Sequence, residues 1–391
     1  MKRFNFKKID LRNIDRKKLA RFAPLIIILL VILVSFATCS RQEQPVSLVK
    51  QPHESIPPQP KPEPEPEPEE TEPEETEPED DPYDGPLNPL TGLPVETDIS
   101  QNRPLAIMIN NVRAALPLLG VSQADIIYEL LVEGGSSRML AIFQDVTDVG
   151  NIGSIRSIRP YYVDLAQSYD AIFIYAGGSR LAYNTVSNRG ITRLDGTYGM
   201  YARAFFRDAQ RRRDLAFEHS LLTSGNILTE QLPTFDFRLE LPEDYERALE
   251  FTEDAAPEGG QSAKEVIVRF SSAKSTSFAF DENDGLYYAS QFDGPLQDGN
   301  NRQQVSVTNI LVLRTAVSNI PNDAAGRLNI RTTGSGTGYF INGGKHIEIQ
   351  WSRENDSSQF VYTHGEGDSL VLGRGKTYIC IVPNASEIVF N

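Results

Sequence analysis

The residues Tyr161-Tyr-Val-Asp-Leu-Ala-Gln-Ser-Tyr169, followed at once by Ala171-Ile-Phe-Ile-Tyr175, decide the fold class of the first globular region. The first segment has the pattern of an amphipathic helix, and the second is a short apolar run of strand length. Three more runs of strand length precede them, at Leu105–Ile109, Ile126–Val132 and Met139–Phe143. Alternation of strands and helices is typical of an α/β domain. We therefore predict an α/β domain over residues 87–245.

The composition of the chain changes after residue 245. Residues 246–263 are rich in Pro, Glu, Ala and Gly, and we predict that they form a linker. Beyond them, short β-rich segments such as Val266–Phe270 and Tyr378–Val382 are separated by turn sequences such as Asn283-Asp284-Gly285. Few of the connections have room for a helix. The sequence predicts a mainly antiparallel all-β domain over residues 264–391, a sandwich or partly open barrel, and an α+β class for the whole chain.

The N-terminus has the layout of an export signal. Residues 1–38 carry nine Lys or Arg residues against two Asp residues, and the run Phe22–Thr38 has no charge and ends at Cys39. Seventeen residues is the lower limit for crossing a bilayer, so residues 1–39 could be an uncleaved membrane anchor. The alternative, which we favour, is that Phe36-Ala-Thr-Cys39 is a lipobox and that Cys39 is lipidated. Both alternatives predict a cell-membrane protein with an extracytoplasmic globular part.

Residues 40–86 have the composition of a disordered tether. They contain 13 of the 25 prolines, and residues 40–85 carry fifteen acidic residues against three basic ones. Such a segment cannot bury enough apolar surface to fold. Proline and carboxylate repulsion extend it toward polyproline II, with a reach on the order of 140 Å. We predict that the tether holds the globular part away from the membrane.

Charge and cysteine content exclude several classes of function. The formal net charge is -15, which argues against binding to nucleic acid, since that needs a basic surface. Cys39 and Cys380 are the only cysteines and cannot form a disulfide framework. The four histidines, His53, His219, His346 and His364, lack the spacing of metal ligands. We predict neither a metal site nor a cofactor.

Several motifs in the same order resemble the YerB-like lipoproteins. The resemblance covers Asn88–Pro383, and it implies a two-domain envelope lipoprotein with Cys39 as the lipidated residue. It brings no catalytic residues to carry over. The sequence departs from the family pattern at residues 219–223 and around residues 291–309. The motifs are Asn88-Pro-Leu-Thr-Gly-Leu-Pro, Arg103-Pro-Leu-Ala-Ile-Met-Ile-Asn-Asn, Tyr128-Glu-Leu-Leu-Val-Glu-Gly-Gly, Gly153-Ser-Ile-Arg-Ser-Ile-Arg-Pro-Tyr, Tyr175-Ala-Gly-Gly-Ser, Gly338-Tyr-Phe-Ile-Asn-Gly-Gly-Lys, Ile347-Glu-Ile-Gln-Trp and Gly375-Lys-Thr-Tyr-Ile-Cys-Ile-Val-Pro.

A polar cluster in the first domain is the best candidate for a ligand site. Arg156 and Arg159 lie three residues apart just before Pro160, which suits the first turn of a helix. Guanidinium groups near a helix N-terminus can bind a carboxylate or a phosphate bidentately. The alternative is that these arginines pair with Glu133, Asp145 or Asp164 and only stabilise the fold. The candidate ligand-binding residues here are Asn111, Glu133, Arg138, Arg156 and Arg159.

Two further positions complete the candidate site. Gly177 and Gly178 follow an apolar run, and in α/β domains ligands bind where such turns leave the carboxyl end of a strand. A plain tight turn would have the same sequence. His219 follows the basic run Arg211–Arg213 and Glu218, and it is the histidine that best suits a functional role.

The sequence favours a binding module over an enzyme. We find no complete catalytic signature, so the expected function is recognition of an anionic ligand, a cell-wall polymer or another envelope protein through the α/β domain. The alternative is an envelope hydrolase acting on glycan or phosphodiester, with Glu129 or Glu133 and His219 as acid–base groups. That alternative requires one of the two glutamates to meet His219 and the pair Arg156 and Arg159 in one cleft.

Overall fold

A computed structural model describes residues 85–391 of the chain. The predicted anchor over residues 1–39, its lipidation site Cys39, and all but the last two residues of the predicted tether over residues 40–86 lie outside the described residues. Residues 85–391 fall within one compact unit of the chain. In this part of the chain no helix is long and apolar enough to cross a membrane.

The first region forms strands and helices where the apolar periodicity predicts them. Its longest strands are mostly apolar and are buried throughout, and a helix begins at Pro160, where proline fits the first turn. The strands are β1 (Leu105–Asn111), β2 (Ile126–Leu131), β3 (Ser137–Phe143), β4 (Asn151–Gly153), β5 (Ile172–Tyr175), β6 (Arg193–Asp195), β7 (Phe206–Arg207) and β8 (Leu221–Ser224). The α-helices are α1 (Pro160–Ser168), α2 (Arg180–Asn188), α3 (Ala209–Asp214) and α4 (Gly225–Gln231).

The rest of the chain is built from strands, and residues 235–391 contain no helix. Most of these strands pair antiparallel with their neighbours along the chain. They are β9 (Phe251–Thr252), β10 (Gln261–Ser262), β11 (Glu265–Ser271), β12 (Lys274–Asp281), β13 (Leu286–Gln291), β14 (Gly294–Pro295), β15 (Ser306–Val307), β16 (Asn309–Thr315), β17 (Val317–Asn319), β18 (Leu328–Ile330), β19 (Gly334–Asn342), β20 (Lys345–Arg353), β21 (Val361–His364), β22 (Asp368–Ser369), β23 (Leu372–Gly373), β24 (Thr377–Pro383) and β25 (Ile388–Phe390).

One 12-stranded sheet, called the large sheet below, runs through both regions. Its order is β22-β21-β20-β19-β16-β24-β2-β3-β1-β5-β6, with β10 paired to β20. Strand β24 lies between β16 and β2 and is parallel to both. Its continuous apolar run Tyr378–Val382 is buried throughout, as expected of a central strand covered on both faces. A sheet shared by the two regions was not predicted from the sequence.

The two faces of the large sheet are covered differently. A six-stranded sheet, β14-β13-β12-β11-β25 with β15 paired to β13, packs on one face, where the rings of Phe278 and Tyr378 lie 5.0 Å apart. On the other face, the Tyr162 hydroxyl of α1 donates to the Leu130 carbonyl at 2.9 Å. Because side chains alternate along a strand, neighbouring residues of β2 enter different layers of the core.

These observations confirm the predicted fold class. The first region mixes helices with parallel and antiparallel strands, and the second is mainly antiparallel β-structure. The predicted domain boundaries stay a prediction, since the two regions share the large sheet. Within the predicted linker, Phe251–Thr252 pairs with β23 and Gln261–Ser262 pairs with β20.

Candidate functional site

The candidate site lies at one end of two central strands of the large sheet, where β2 turns into β3. The strands pair with Leu131 opposite Ser137, and Glu133–Gly135 forms the turn between them. Gly134 and Gly135 have φ angles of 74° and 72°, a backbone conformation that favours glycine. The turn places Glu133 beside the segment that leads into α1.

Glu133 forms an ion pair with Arg159, the residue that precedes α1. Arg159 Nε donates to Glu133 Oε2 at 3.0 Å, and Arg159 Nη2 donates to Glu133 Oε1. Arg138 of β3 adds a longer contact, with its Nη2 atom 3.9 Å from Glu133 Oε1. Burial alone would raise the pKa of Glu133, but the hydrogen bonds and charges of these arginines bring it below its ordinary value. Glu133 is therefore a carboxylate held by arginines.

Arg138 ties this pair to the start of α1. Its Nη1 atom donates to the Ser157 carbonyl at 2.5 Å, and its side chain is only 8 % exposed. Burial, together with the neighbouring charge of Arg159, lowers the pKa of Arg138 to about 10. At neutral pH the guanidinium is still charged, so two nearly buried cations share one carboxylate.

Arg156 adds a third guanidinium without a partner of its own. In the described part of the chain its side chain makes no hydrogen bond or ion pair, and its Nε atom is buried without a hydrogen-bond partner. Burial lowers its pKa, with charge contributions from Glu218, Arg159 and Glu133. We call Arg138, Arg156 and Arg159 with Glu133 the arginine cluster. The arginine cluster therefore carries an excess of positive charge at a partly buried position.

The Gly177–Gly178 turn lies against the same segment. Ile158 N donates to the Gly177 carbonyl at 3.0 Å, and a side-chain carbon at Gly177 would lie 3.4 Å from Ser157 Oγ. The Gly177 amide itself donates to Asp195 Oδ1 at 3.1 Å. The turn therefore borders the arginine cluster, but the Gly177 amide is already used within the fold.

Asn111 does not join the arginine cluster, contrary to its inclusion among the candidate residues. Its Nδ2 atom donates to Glu129 Oε1 at 2.8 Å and to Ser137 Oγ at 3.0 Å, and Asn111 is fully buried. The reason is strand alternation, which points Asn111 into the layer between the two sheets, where Glu129 also lies. Glu129 and Glu133 do not share a strand, because β2 ends at Leu131.

Glu129 is the centre of a buried polar network that the sequence analysis missed. Its carboxylate is 0 % exposed and lies 3.1 Å from Lys274 Nζ, and burial lowers the pKa of that lysine. Local patterns gave no signal for this network, since its donors come from five strands, β1, β3, β12, β13 and β24. The donors are Asn111 Nδ2, Ser137 Oγ (2.5 Å), Thr276 Oγ1 (2.7 Å), Tyr378 OH (2.7 Å) and Gln291 Nε2 (3.2 Å).

His219 lies on the face of the large sheet opposite to Glu129. Its Nδ1 atom is 2.8 Å from Asn110 Nδ2, and it is buried. Asn110 precedes Asn111 on β1, so the two amides point to opposite faces of the sheet. Burial lowers the pKa of His219, with Glu218 and Arg156 as the nearest charges. Glu129 and His219 therefore do not meet in one cleft, and His219 instead interacts electrostatically with Arg156 of the arginine cluster.

Over residues 85–391 no three histidine, cysteine, aspartate or glutamate side chains are grouped so that they could hold a metal ion.

Comparison with known proteins identifies two matching family models. Residues 90–238 match the N-terminal domain, and residues 266–379 the C-terminal domain, of a protein of unknown function, DUF3048. A relative, YerB of Bacillus subtilis (strain 168), whose name calls it a lipoprotein, is 29% identical over 303 residues, covering 76% of this chain and 86% of YerB. The crystal structure of YerB from Bacillus subtilis is also similar, with a TM-score of 0.66 and 26% identity over 78% of this chain and 99% of that chain.

The matches agree with the motifs and with the fold. Both matched domains occur in the order found in the structure, and together they cover more than half of the chain. The chain therefore belongs to the YerB-like family, with the N-terminal and C-terminal domains of DUF3048.

Proposed function

We propose that the protein is a membrane-anchored lipoprotein of the cell envelope that binds an anionic ligand through its arginine cluster. The name of the YerB relative and the apolar run that ends at Cys39 support the lipoprotein part of this proposal. The observation that carries the binding part is the unpaired, half-buried guanidinium of Arg156 beside Arg138 and Arg159.

The cluster suits a carboxylate or phosphate ligand for electrostatic reasons. Glu133 and Glu218 balance two of the three guanidinium charges, and the remaining positive charge acts in a partly desolvated place where Coulomb attraction is stronger than in water. The side chains of Arg138 and Arg159 are 8% and 7% exposed, so Arg156 is the member most accessible to a ligand. Arginine binds such groups bidentately. An anionic cell-wall polymer or an acidic segment of an envelope protein has this chemistry.

The binding test uses full-length protein in detergent and purified cell-wall sacculi. One sample keeps its anionic polymers, and a second is stripped of them by acid. We expect the native protein to cosediment with the first sample, less so as salt is raised, and Arg156→Ala to reduce the bound fraction about tenfold. Arg302→Ala is the matched control, because Arg302 is exposed and makes no described side-chain contact.

Two results would overturn the binding proposal. One is an Arg156→Ala protein that sediments as well as the native protein, and the other is equal binding to intact and stripped sacculi. The anchor is tested separately by mass spectrometry of the mature N-terminus. We expect a chain that begins at lipidated Cys39, whereas an intact Met1–Thr38 segment would disprove lipoprotein processing.

A further inference from the structure

A second surface feature, distinct from the arginine cluster, is a groove on the six-stranded sheet. Its volume is about 620 Å³, which lies within the range of small-molecule sites. Lys274, Thr276 and Phe278 of β12 point inward and are buried, so the alternate residues Ser275 and Ser277 point outward into the groove. The lining residues are Arg113, Ile267, Arg269, Ala273, Ser275, Ser277, Ser290, Gln291, Phe292, Asp293, Gly294 and Pro295.

The depth of the groove follows from a row of residues that crosses four strands. Strand register places Ile267 opposite Ser277, Ser277 opposite Ser290, and Ser290 opposite Pro295. The two serines are small and lie in the middle, while larger apolar side chains stand at both ends. The floor of the groove therefore presents hydroxyl groups, and its sides present apolar surface.

The turn Phe292-Asp293 forms one wall. Both residues have positive φ angles, 54° and 67°, in the two-residue loop between β13 and β14. Phe292 is half-buried, and its ring centroid lies 4.5 Å from Lys274 Nζ. Since Lys274 is held in the core by its ion pair with Glu129, the Phe292 ring packs against a well-ordered side chain. An aromatic wall beside a hydroxyl-lined floor is therefore built into the fold.

The charges around the groove are balanced, unlike those of the arginine cluster. Arg113 Nη2 is 2.7 Å from Asp293 Oδ2, and Arg269 Nε is 2.7 Å from Glu387 Oε2. Each guanidinium thus has a carboxylate partner, and the groove offers no excess charge to an anion. It does offer paired donors and acceptors at its rim.

We propose that this groove binds an uncharged oligosaccharide. A sugar presents hydroxyl groups that match the serines and the rim ion pairs, and apolar ring faces that match Ile267, Phe292 and Pro295. The balanced charge favours a neutral glycan over an anionic one, and the open, hydroxyl-lined floor favours it over a purely apolar ligand. The site is independent of the arginine cluster.

The test is calorimetric titration of full-length protein in detergent with chitotetraose and, separately, maltotetraose. We expect at least one of the two to bind with a Kd of about 1 mM or tighter. Ser277→Tyr, which fills the groove, and Phe292→Asn, which removes the ring but tolerates positive φ, should each weaken binding about tenfold or more. Thermal unfolding and circular dichroism of each variant show that the fold is kept.

The controls separate this site from the rest of the surface. Ser352→Tyr adds the same ring to an exposed strand position on the large sheet and should bind as the native protein does. Arg156→Ala should also leave oligosaccharide binding unchanged, whatever it does to binding of wall polymers. Failure of the native protein to bind either sugar overturns the proposal, and so does a folded Ser277→Tyr variant that binds as tightly as the native protein.

Discussion

The Glu129 carboxylate of β2 lies 3.1 Å from the Lys274 ammonium group of β12, and both side chains are almost completely buried. This ion pair joins the first region of the chain to the second, across the layer between the two sheets. Hydrogen bonds from Thr276, Tyr378 and other donors satisfy the remaining carboxylate lone pairs. A buried ion pair with this many partners is costly to break from one side only.

Removal of Lys274 alone is therefore expected to destabilise the protein strongly. Lys274→Met leaves the Glu129 charge buried without a counter-ion, and we expect the free energy of unfolding to fall by about 3–5 kcal/mol in urea denaturation. Adding Glu129→Gln to this variant should recover part of the loss, because the uncompensated charge is gone. Lys264→Met is the matched control: its partner Glu282 is exposed, so its loss should cost less than about 1 kcal/mol. Equal losses in the two single variants would contradict this account.

Arg156 and Arg159 should differ in their effect on stability. Arg159→Ala leaves Glu133 with only the distant contact to Arg138, and we expect a loss of about 1–3 kcal/mol. Arg156→Ala removes a cation that has no partner and lies near Arg159, so the free energy of unfolding should change by less than about 0.5 kcal/mol. Urea denaturation of both variants measures the difference. A larger fall in the free energy of unfolding for Arg156→Ala would mean that Arg156 stabilises the fold and is not available to bind a ligand.

Asp125 should make stability depend on pH in a defined window. Burial raises the pKa of Asp125 from 3.8 to about 6. Hydrogen bonds from Gln144 N at 2.7 Å and Asn88 Nδ2 at 3.0 Å lower the pKa, but by less than burial raises it. The folded protein keeps this proton where the unfolded chain has lost it. Below pH 3.8 Asp125 therefore makes its largest contribution to the free energy of unfolding. This contribution falls by about 3 kcal/mol as pH rises from 3.8 to 6, and it does not change further above pH 6.

The pH effect is isolated by comparing the native protein with Asp125→Asn. Asparagine does not titrate, so the variant should gain stability relative to the native protein between pH 4 and pH 6 and no further gain above pH 6. Urea denaturation at each pH gives the difference. Asp244→Asn, at an exposed position without a described side-chain contact, corrects for the change in net charge. A difference between Asp125→Asn and the native protein that does not vary with pH would contradict the raised pKa.

The first region should not fold alone. Strand β24 pairs with β2 through five residue pairs, and without it the fully buried strand Ile126–Leu131 becomes a sheet edge. Exposed apolar edges favour aggregation. We expect a fragment of residues 85–262 to be aggregated or unfolded in size-exclusion chromatography and in amide NMR spectra. A monomeric fragment with dispersed amide signals would show instead that the first region is an independent domain.

Part of the candidate site was predictable because its signals are local. Pro160 marks the helix start, and Arg156 and Arg159 precede it, so their closeness to one another follows from a few dihedral angles. The contact between Arg159 and Glu133 spans 26 positions and was one of several pairings that the sequence left open. Asn111 was grouped with the arginines but contacts Glu129 and Ser137 on the other face of the sheet, since the face to which a side chain points depends on strand register in the whole sheet.

By itself the sequence determined the elements and their class: apolar periodicity marks β1, β2, β3, α1 and β5, and turn residues separate the later strands. Local dihedral preferences and burial patterns act over a few residues, so a single stretch reveals them. Only the tertiary structure decided that β24 enters the sheet beside β2 and that Glu129 meets Thr276, which is 147 positions away. Many apolar strands could fill one place in a sheet, and the choice depends on packing of the whole chain, which no local pattern encodes.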